Sequence, residues 1–490
     1  MSRALALALA TALSSCTLRA PIPPPHEPLV GTPAAALPPP PEGRWEEAPL
    51  ALRLTRYTLP NGFRLVIARG EPNGVASVAF VSAATPRWDR RAPAVVTEWM
   101  AHLMLRATGA DREVVDDLLS REGFAPALEL GAVGIRLSDT MPREELPRFV
   151  RALDRTLREP AFRPEDLARR VESYSDRAEL ELAGAAGLLD DRAPSLLYHA
   201  SDPRAEGTRA RLAALATLDV EALAARHADL LDPSRSALVV TGDVEPQLVL
   251  PFLGQVFGAW PARPAPSSGP ELVPPRLADP SEPRARVVVR PALRAYLRLV
   301  ERAPPFPHPD YAAFLVLEQL LGGMFASRLN LAVRERTGAS YGFHARFGAS
   351  ATEGAIEMET AVDPPYTRAV LDAMLAEVRR VRGERGGVEA GELAIAKARA
   401  RELLLARLDS SLGLAHAIAR RIQIGQEPGA TGDVLRRIDA LDERAVEAAA
   451  RAWLRPDRAP LLLVVRPEHL GAIEAAGLGT IEVVRPREGR

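Results

Sequence analysis

Residues 321–342 read LGGMFASRLNLAVRERTGASYG and carry the strongest structural signal in the chain. The apolar spacing from 321 to 336 predicts an amphipathic helical run with a glycine pair near its start, and Gly338 ends it. Arg334 and Tyr341 lie seven positions apart across that break, so both side chains can reach one place beyond the helix end. Arginine offers a rigid fork of donors and tyrosine a hydroxyl, which suits binding of a peptide carbonyl. On spacing alone, a surface arginine and a half-buried strand tyrosine are the simpler interpretation.

A second pattern occurs twice in the chain, at an offset of 223 residues. Residues 218–240 align without gaps on residues 441–463, and each copy reads as a helix, a turn with proline and a buried apolar strand. Such self-similarity indicates duplication into two related domains rather than a solenoid array. The proline-rich run 263–283 lies between the copies and predicts a linker.

Local patterns around the repeats predict strands followed by helices in each half. Pro60-Asn61-Gly62, between two apolar runs, is typical of a hairpin turn. The predicted strands lie at 53–59, 63–68, 75–81, 286–290, 294–300, 340–349 and 353–361. The predicted helices lie at 92–107, 111–122, 143–157, 164–185, 211–230, 309–322, 324–335, 365–383, 388–407, 409–423 and 439–453. Strands grouped before helices favour an α+β class over a regularly alternating parallel sheet.

The N-terminus has the pattern of a bacterial lipoprotein leader. Arg3 precedes the short apolar run 4–13, and Leu13-Ser14-Ser15-Cys16 resembles a lipobox, in which cleavage leaves Cys16 as the lipid-bearing first residue. A chance cysteine after a signal peptide is the alternative. Because Cys16 is the only cysteine, an internal disulfide framework and a cysteine-based zinc site are excluded.

These features predict a lipid-anchored periplasmic protein, and Thr17 after the cysteine favours the outer membrane. The predicted segments are a signal peptide at 1–16, a Pro/Ala-rich tether at 17–48, a first domain at 49–262, the linker at 263–283 and a second domain at 284–490. With 62 basic and 63 acidic residues, the net charge does not favour nucleic acid or an anionic membrane surface. No stretch predicts a bilayer span, so the N-terminal lipid is the expected membrane contact.

Four motifs in order resemble the insulinase/pitrilysin (inverted zincin) peptidases, a family that includes mitochondrial processing peptidase and bacterial relatives. They are LPNGFRLV at 59–66, VVTGDV at 239–244, FGAW at 257–260 and the stretch 322–341. The resemblance covers nearly all of 53–470. It implies two homologous α+β domains, each a mainly antiparallel sheet packed by helices, which together form half of a clamshell.

The predicted helix at 92–107 resembles the metal-binding helix of that family. There, H-x-x-E-H places two histidines on one face for zinc and a glutamate that holds the water. The corresponding residues here are Glu98, Ala101 and His102, so the first histidine and the general base are absent. We expect His102 to be settled in the helix packing, and we predict no metal and no catalytic residue in this chain.

The third metal ligand of the family, a glutamate further along the chain, has no unique counterpart here. Glu179 has about the right separation from His102, and Glu172 lies in the same predicted helix, while the local pattern points nearer to Tyr174. Helix-surface carboxylates are the simpler interpretation of both glutamates. A weak zinc site that uses Glu98 stays open, because a carboxylate can be a ligand.

What the resemblance implies about function depends on the arginine and the tyrosine. In relatives this pair hydrogen-bonds the substrate backbone near the metal, and in paired bacterial relatives one chain brings the zinc motif and the other brings the pair. The resemblance therefore favours Arg334 and Tyr341 as substrate-binding residues of a non-catalytic subunit of a heteromeric periplasmic zinc metallopeptidase. Its expected partners are a homologous zinc-bearing subunit and unfolded peptides, and zinc is expected only in that partner.

Two alternatives stay open. The chain could be a stand-alone peptide-binding or scaffold lipoprotein of the same fold. It could also be an active metallopeptidase with an atypical site at Glu98 and His102, although Ala101 offers no proton acceptor.

Overall fold

The computed structural model places most of the chain in two β-sheets and the helices that pack on them. The described residues are 42–47, 50–83, 94–105, 123–131, 134–262, 274–278, 285–306, 308–335, 338, 340, 342–384, 386–424 and 430–485. Cys16, the signal peptide, the helix predicted at 111–122 and Tyr341 lie outside them. The lipoprotein leader therefore stays a prediction.

The first half forms a seven-stranded sheet within the described residues. Its strands are β1 (Glu42–Glu47), β2 (Leu50–Thr58), β3 (Arg64–Arg69), β4 (Val75–Ser82), β5 (Ala127–Gly131), β6 (Gly134–Pro142) and β7 (Ser236–Gly242). Their order is β1-β2-β3-β7-β4-β6-β5. Neighbours pair antiparallel, apart from the parallel pair β3 and β7. β1 lies inside the predicted tether, where it extends the sheet by pairing with β2.

The first half also contains helices, most of which cover the core face of this sheet. They are α1 (Ala94–Met104), α2 (Leu146–Arg158), α3 (Pro164–Ala183), α4 (Ala185–Arg192), α5 (Pro194–Leu197), α6 (Thr208–Leu215), α7 (Val220–Leu230) and α8 (Pro246–Gly258). The single helix predicted at 211–230 was wrong, because two helices occupy that range. The Asp219 side chain accepts a hydrogen bond from the Ala222 amide and starts α7 as an N-cap.

Two sequence motifs that are far apart in the chain contact each other in this core. The predicted Pro60-Asn61-Gly62 turn is confirmed, and the Asn61 amide donates to the carbonyls of Phe257 and Trp260 at 2.8 and 3.0 Å. The Phe63 ring stacks on Phe257 with centroids 4.5 Å apart. The hairpin and the end of α8 thus fix each other through both polar and aromatic contacts.

The second half forms a six-stranded sheet within the described residues. Its strands are β8 (Ala285–Val289), β9 (Ala295–Ala303), β10 (Phe343–Ala349), β11 (Gly354–Val362), β12 (Leu461–Val465) and β13 (Ile481–Val484), in the order β10-β11-β9-β12-β8-β13. Its helices are α9 (Tyr311–Glu318), α10 (Arg328–Asn330), α11 (Thr367–Val381), α12 (Ala390–Ala406), α13 (Ser411–Gln423), α14 (Ala430–Ala440), α15 (Glu443–Trp453) and α16 (Leu470–Glu474). The α+β class is confirmed.

The predicted duplication is visible in the topology of the two sheets. Five neighbouring strands of the first sheet, β3-β7-β4-β6-β5, correspond in order and direction to β8-β12-β9-β11-β10 of the second. α15 begins and ends 223 residues after α7, and Asp442 caps it as Asp219 caps α7. The sequence repeat therefore corresponds to a repeated structural unit.

Each half also covers the second face of the other half's sheet. Leu414 and Ile418 of α13 pack on β3, β4 and β7, and Leu188 and Leu196 of α4 and α5 pack on β8 and β12. The offset of 223 relates residues 188–196 to 411–419, so equivalent helices make both contacts. Because strand side chains alternate between faces, both sheets are buried on two sides.

One apolar stretch, helical over most of its length, corrects the expectation that no stretch could span a bilayer. Among the described residues, Tyr311–Arg334 has the length and a mean hydropathy of 1.3 that such a span requires. However, 72% of its most apolar window is buried inside the protein. Its apolar character follows from its position in the second core, where Phe314, Leu317 and Leu321 are fully buried.

Candidate functional site

Helix α1 carries the three residues that correspond to the family's metal-binding motif. Its buried positions surround most of the helix, and Glu98 and His102 lie one turn apart on the less buried face. Ala101 is fully buried in the apolar core of the first half. The motif positions therefore face two different environments, and the position of the missing base is closed to solvent.

The expectation that His102 is settled in the helix packing was wrong. The imidazole is exposed, and its Nδ1 lies 2.7 Å from the Glu98 carbonyl oxygen of the preceding turn. Packing instead fixes α1 through its neighbours, because Trp99 meets the Tyr174 ring edge-on at 5.7 Å. The Arg226 guanidinium of α7 also donates to the Thr97 hydroxyl at 2.9 Å.

The charge of Glu98 affects the pKa of Glu206, a carboxylate that the sequence did not indicate. Burial raises the pKa of Glu206, Arg211 lowers it in part, and the negative charge of Glu98 raises it further. Glu206 lies in a loop before α6, and no spacing rule pointed to it. Glu172 and Glu179, the two sequence candidates, are both exposed on α3.

These residues do not fit a zinc site. His102 supplies one imidazole, and across the described part of the chain no group of three or more His, Cys, Asp or Glu side chains is placed to hold a metal ion. Catalytic zinc sites use three protein ligands and an activated water. Ala101 lacks the proton acceptor that would activate such a water.

The signature stretch of the second half is not one continuous helix, which corrects the run predicted from 321 to 336. α9 continues as a π-helical turn at Gln319–Gly323, and the chain becomes extended at Met324. α10 then continues as a second π-helical turn at Leu331–Glu335. The glycine pair thus ends the first helix instead of starting the second. A Cβ on Gly322 would lie 2.5 Å from the Ala345 nitrogen, so glycine permits the helix to touch β10.

Asn330 holds the loop, α10 and the start of β10 together. The buried side chain donates to the carbonyls of Met324 and Phe343 at 3.1 and 2.9 Å, and its oxygen accepts from the Phe343 amide at 2.8 Å. A second anchor is the buried Arg328, which binds the Glu392 carboxylate at the start of α12. The Asn330 contacts join the helix before Arg334 to the strand that follows Tyr341. The spacing of residues in the sequence did not predict these contacts.

Arg334 lies at the end of this anchored segment, half exposed. Its guanidinium carbon is 4.1 Å from the centroid of the Phe325 ring, and that ring is 71% exposed. The pair forms a cation–π contact at the surface. Tyr341 lies outside the described residues, while its neighbour Ser340 is buried and bonds to Gly342 and Thr360. The structure therefore places Arg334 and leaves the predicted partnership with Tyr341 a prediction.

Comparison with known proteins supports the resemblance over part of the chain. Residues 217–400 match the family model described as the peptidase M16 inactive domain. This match covers less than half of the chain. No curated protein matches the sequence of the chain.

Solved structures share the fold of this chain at low sequence identity. A protease from Helicobacter pylori is 16% identical, with a TM-score of 0.74 over 84% of this chain and 99% of that one. A peptidase M16 inactive domain from Pseudomonas fluorescens is 19% identical, with a TM-score of 0.71 over 85% of this chain and 98% of that one. At this level of identity the likeness shows the fold alone.

Proposed function

We propose that this chain is an M16 homologue and the non-catalytic subunit of a heteromeric periplasmic zinc metallopeptidase. It contributes chamber walls and substrate-binding residues to a homologous partner that carries H-x-x-E-H and the zinc. The observation that supports the proposal most directly is the contrast within the chain. Ala101 occupies the position of the base of the zinc motif and is fully buried. Arg334, in the stretch 322–341, is half exposed.

The position that corresponds to the general base of the zinc motif offers no group that activates water. A positioned general base contributes about 10²–10⁴-fold to the rate of such reactions. Ala101 has no ionisable group, and its Cβ is enclosed by apolar neighbours. Cleavage therefore requires the metal and base of another chain.

Peptide binding is the role that the signature segment can fulfil. The Arg334 guanidinium presents donors to a peptide carbonyl, and the exposed Phe325 ring offers an apolar surface beside it. Such preorganised donors also stabilise a developing oxyanion. Tyr341 is proposed as the second donor on the strength of the family resemblance.

The proposed location follows from the N-terminal sequence. Lipidation at Cys16 would anchor the mature chain to the membrane, with the outer membrane favoured by Thr17. Membrane association would then be lost in Cys16→Ala, which is checked by fractionation of cells that express either form.

Reconstitution with the zinc-motif homologue encoded in the same genome tests the function. The purified chain alone is expected to cleave no peptide, and mixing is expected to raise cleavage above that of the partner alone. Arg334→Ala in the mixed enzyme should lower kcat/KM by about 10²–10³-fold, as loss of an oxyanion-stabilising donor does. Arg399→Ala, which removes an exposed arginine of α12, is the control and should leave cleavage unchanged.

Other outcomes select the alternatives. Saturable peptide binding without any effect on a partner's activity would support a stand-alone peptide-binding or scaffold protein. Chelator-sensitive cleavage by the lone chain with stoichiometric zinc would establish an atypical active site. Unchanged cleavage in both Arg334→Ala and Tyr341→Phe would refute the substrate-binding role.

A further inference from the structure

A cavity of about 510 Å³ lies where the first sheet meets the helices and strands of the second half. The β5–β6 edge forms one side, and the end of α12 and the exposed flank of α13 form another. Residues after β9 and β10 complete the wall. Its volume is within the range of pockets that bind small molecules.

One side of the cavity is strongly basic. Among the described residues that line it are Arg136, Arg407, Arg420 and Arg421, against a single carboxylate from Glu129. This imbalance is notable because the whole chain is almost neutral. An excess of positive charge in a partly enclosed space attracts an anion.

Arg136 is the deepest of these charges. It is only 9% exposed, and although it binds the Glu129 carboxylate, its Nε has no hydrogen-bond partner within the described structure. Burial and the nearby Arg420 lower the pKa of Arg136 to about 10, so the group still carries its charge at neutral pH. A buried charged donor without an acceptor costs free energy that a bound anion would recover.

Arg420 is less deeply placed, and its charge acts on Arg136. It donates to the Ala349 carbonyl at 2.5 Å, and its guanidinium carbon is 5.4 Å from the Phe306 ring centroid. Two like charges at close range repel each other unless an anion lies between them.

Apolar side chains also line the cavity. They are Phe306, Tyr311, Leu404, Leu408 and Ile424. We propose that the cavity binds a small organic anion that has an apolar body and one carboxylate or phosphate head. The head accepts hydrogen bonds from Arg136 and Arg420, and the body packs against Phe306 and the leucines of the α12 end. The site is independent of peptide cleavage and of any partner chain.

Isothermal titration calorimetry on the full-length mature chain tests the proposal. The probes are octanoate, octyl phosphate, inorganic phosphate and octanol. Saturable one-to-one binding is expected for octanoate or octyl phosphate, and the tighter of the two identifies the head group. Inorganic phosphate should bind at least about tenfold more weakly, because it lacks the apolar contacts. Octanol that binds as tightly as octanoate would overturn the anionic site.

Arginine variants test whether the anion binds in this cavity or on another surface. Arg136→Gln and Arg420→Gln should each weaken binding by about tenfold or more, through loss of a charge-assisted hydrogen bond. Arg399→Gln on the exposed side of α12 is the matched control and should bind like the unmodified chain. If Arg136→Gln does not fold, the half-exposed Arg420→Gln decides the question. No saturable binding of either amphiphile, or undiminished binding by Arg420→Gln, would overturn the proposal.

Discussion

Helix α1 follows strand β4 in the first half. In the second half, α9 and the segment after it follow the equivalent strand β9. Helix α1 and the segment after α9 are fixed to the fold in opposite ways. α1 buries nine of its eleven residues, nearly all of them apolar. The second segment is interrupted at Met324 and is held by the side-chain bonds of Asn330 and Arg328.

This difference explains how the motif positions of α1 can vary while the helix itself is kept. Apolar packing secures α1 whether or not its motif positions carry ligands, so Glu98 and Ala101 can replace a histidine and a base without loss of the helix. Arg334 instead depends on polar contacts that set the position of the whole loop. Three predictions test this comparison, from the largest expected effect to the smallest.

The largest effect is expected from Ala101→Glu, which returns a base to α1. Position 101 is fully buried among apolar side chains, so a carboxylate there has neither water nor a partner. The free energy of unfolding should fall by about 3–5 kcal/mol, the range found for uncompensated buried charges. Urea denaturation followed by circular dichroism measures it.

The matched control is His102→Glu on the same helix. The exposed position 102 should tolerate the change to within about 0.5 kcal/mol. Equal stability of the two variants would show that position 101 is open to solvent, contrary to the structure.

Asn330→Ala is expected to have the next largest effect. It leaves the Phe343 amide and two carbonyls without their partner, in a region that is otherwise buried. A loss of about 2–4 kcal/mol in the free energy of unfolding is expected, since each unsatisfied buried group costs roughly 1–3 kcal/mol. Denaturant titration provides the value.

The Asn330 variant also tests whether the polar anchor sets the position of Arg334. Peptide affinity should fall even at temperatures where the variant is folded. Asn73→Ala, at an exposed turn, is the control and should change neither property. Normal peptide affinity in folded Asn330→Ala would separate Arg334 from this anchor.

The smallest effect concerns the carboxylate beside Glu98. Burial and the charge of Glu98 raise the pKa of Glu206, so the folded state holds its proton to higher pH than the unfolded state does. The protonated Glu206 carboxyl therefore stabilises the folded state below its ordinary pKa of 4.5. This contribution to the free energy of unfolding is lost as the pH rises through the pKa of Glu206 in the folded state. Glu206→Gln should therefore gain in melting temperature relative to the unmodified chain as pH rises from 4 to 8.

Thermal melts at both pH values check the Glu206 prediction. Glu172→Gln on the exposed face of α3 should show no such change with pH. A Glu206→Gln difference that is constant from pH 4 to 8 would mean that the carboxylate titrates normally.

Much of the fold was predictable from local patterns. The hairpin at Pro60-Asn61-Gly62, the strand from Val75 and the helices α2, α3, α11, α12, α13 and α15 were all predicted close to their observed bounds. Their signals are periodic apolar residues with turn or cap residues at the ends, and these act over a few neighbouring positions. The repeat at 223 residues was likewise readable, because both copies keep the same pattern.

Other elements depend on contacts that no local pattern contains. β6 includes Arg136, which reads as polar in sequence and is buried because it pairs with Glu129 of β5. α8 includes Pro251, which local rules take as a helix breaker, and packing of its apolar face against β3 and α2 outweighs that cost. Both elements were missed for these reasons.

The sequence by itself determined the duplicated α+β plan and the presence of Glu98 and Ala101 where the resemblance has the residues of a zinc motif, because residue identity and spacing are local properties. Tertiary structure decided what surrounds those residues. It buried Ala101, exposed His102, ended the first signature helix at its glycine pair and placed Arg334 over Phe325. These outcomes depend on which face of each helix meets which sheet, and that is fixed only when distant segments pack together.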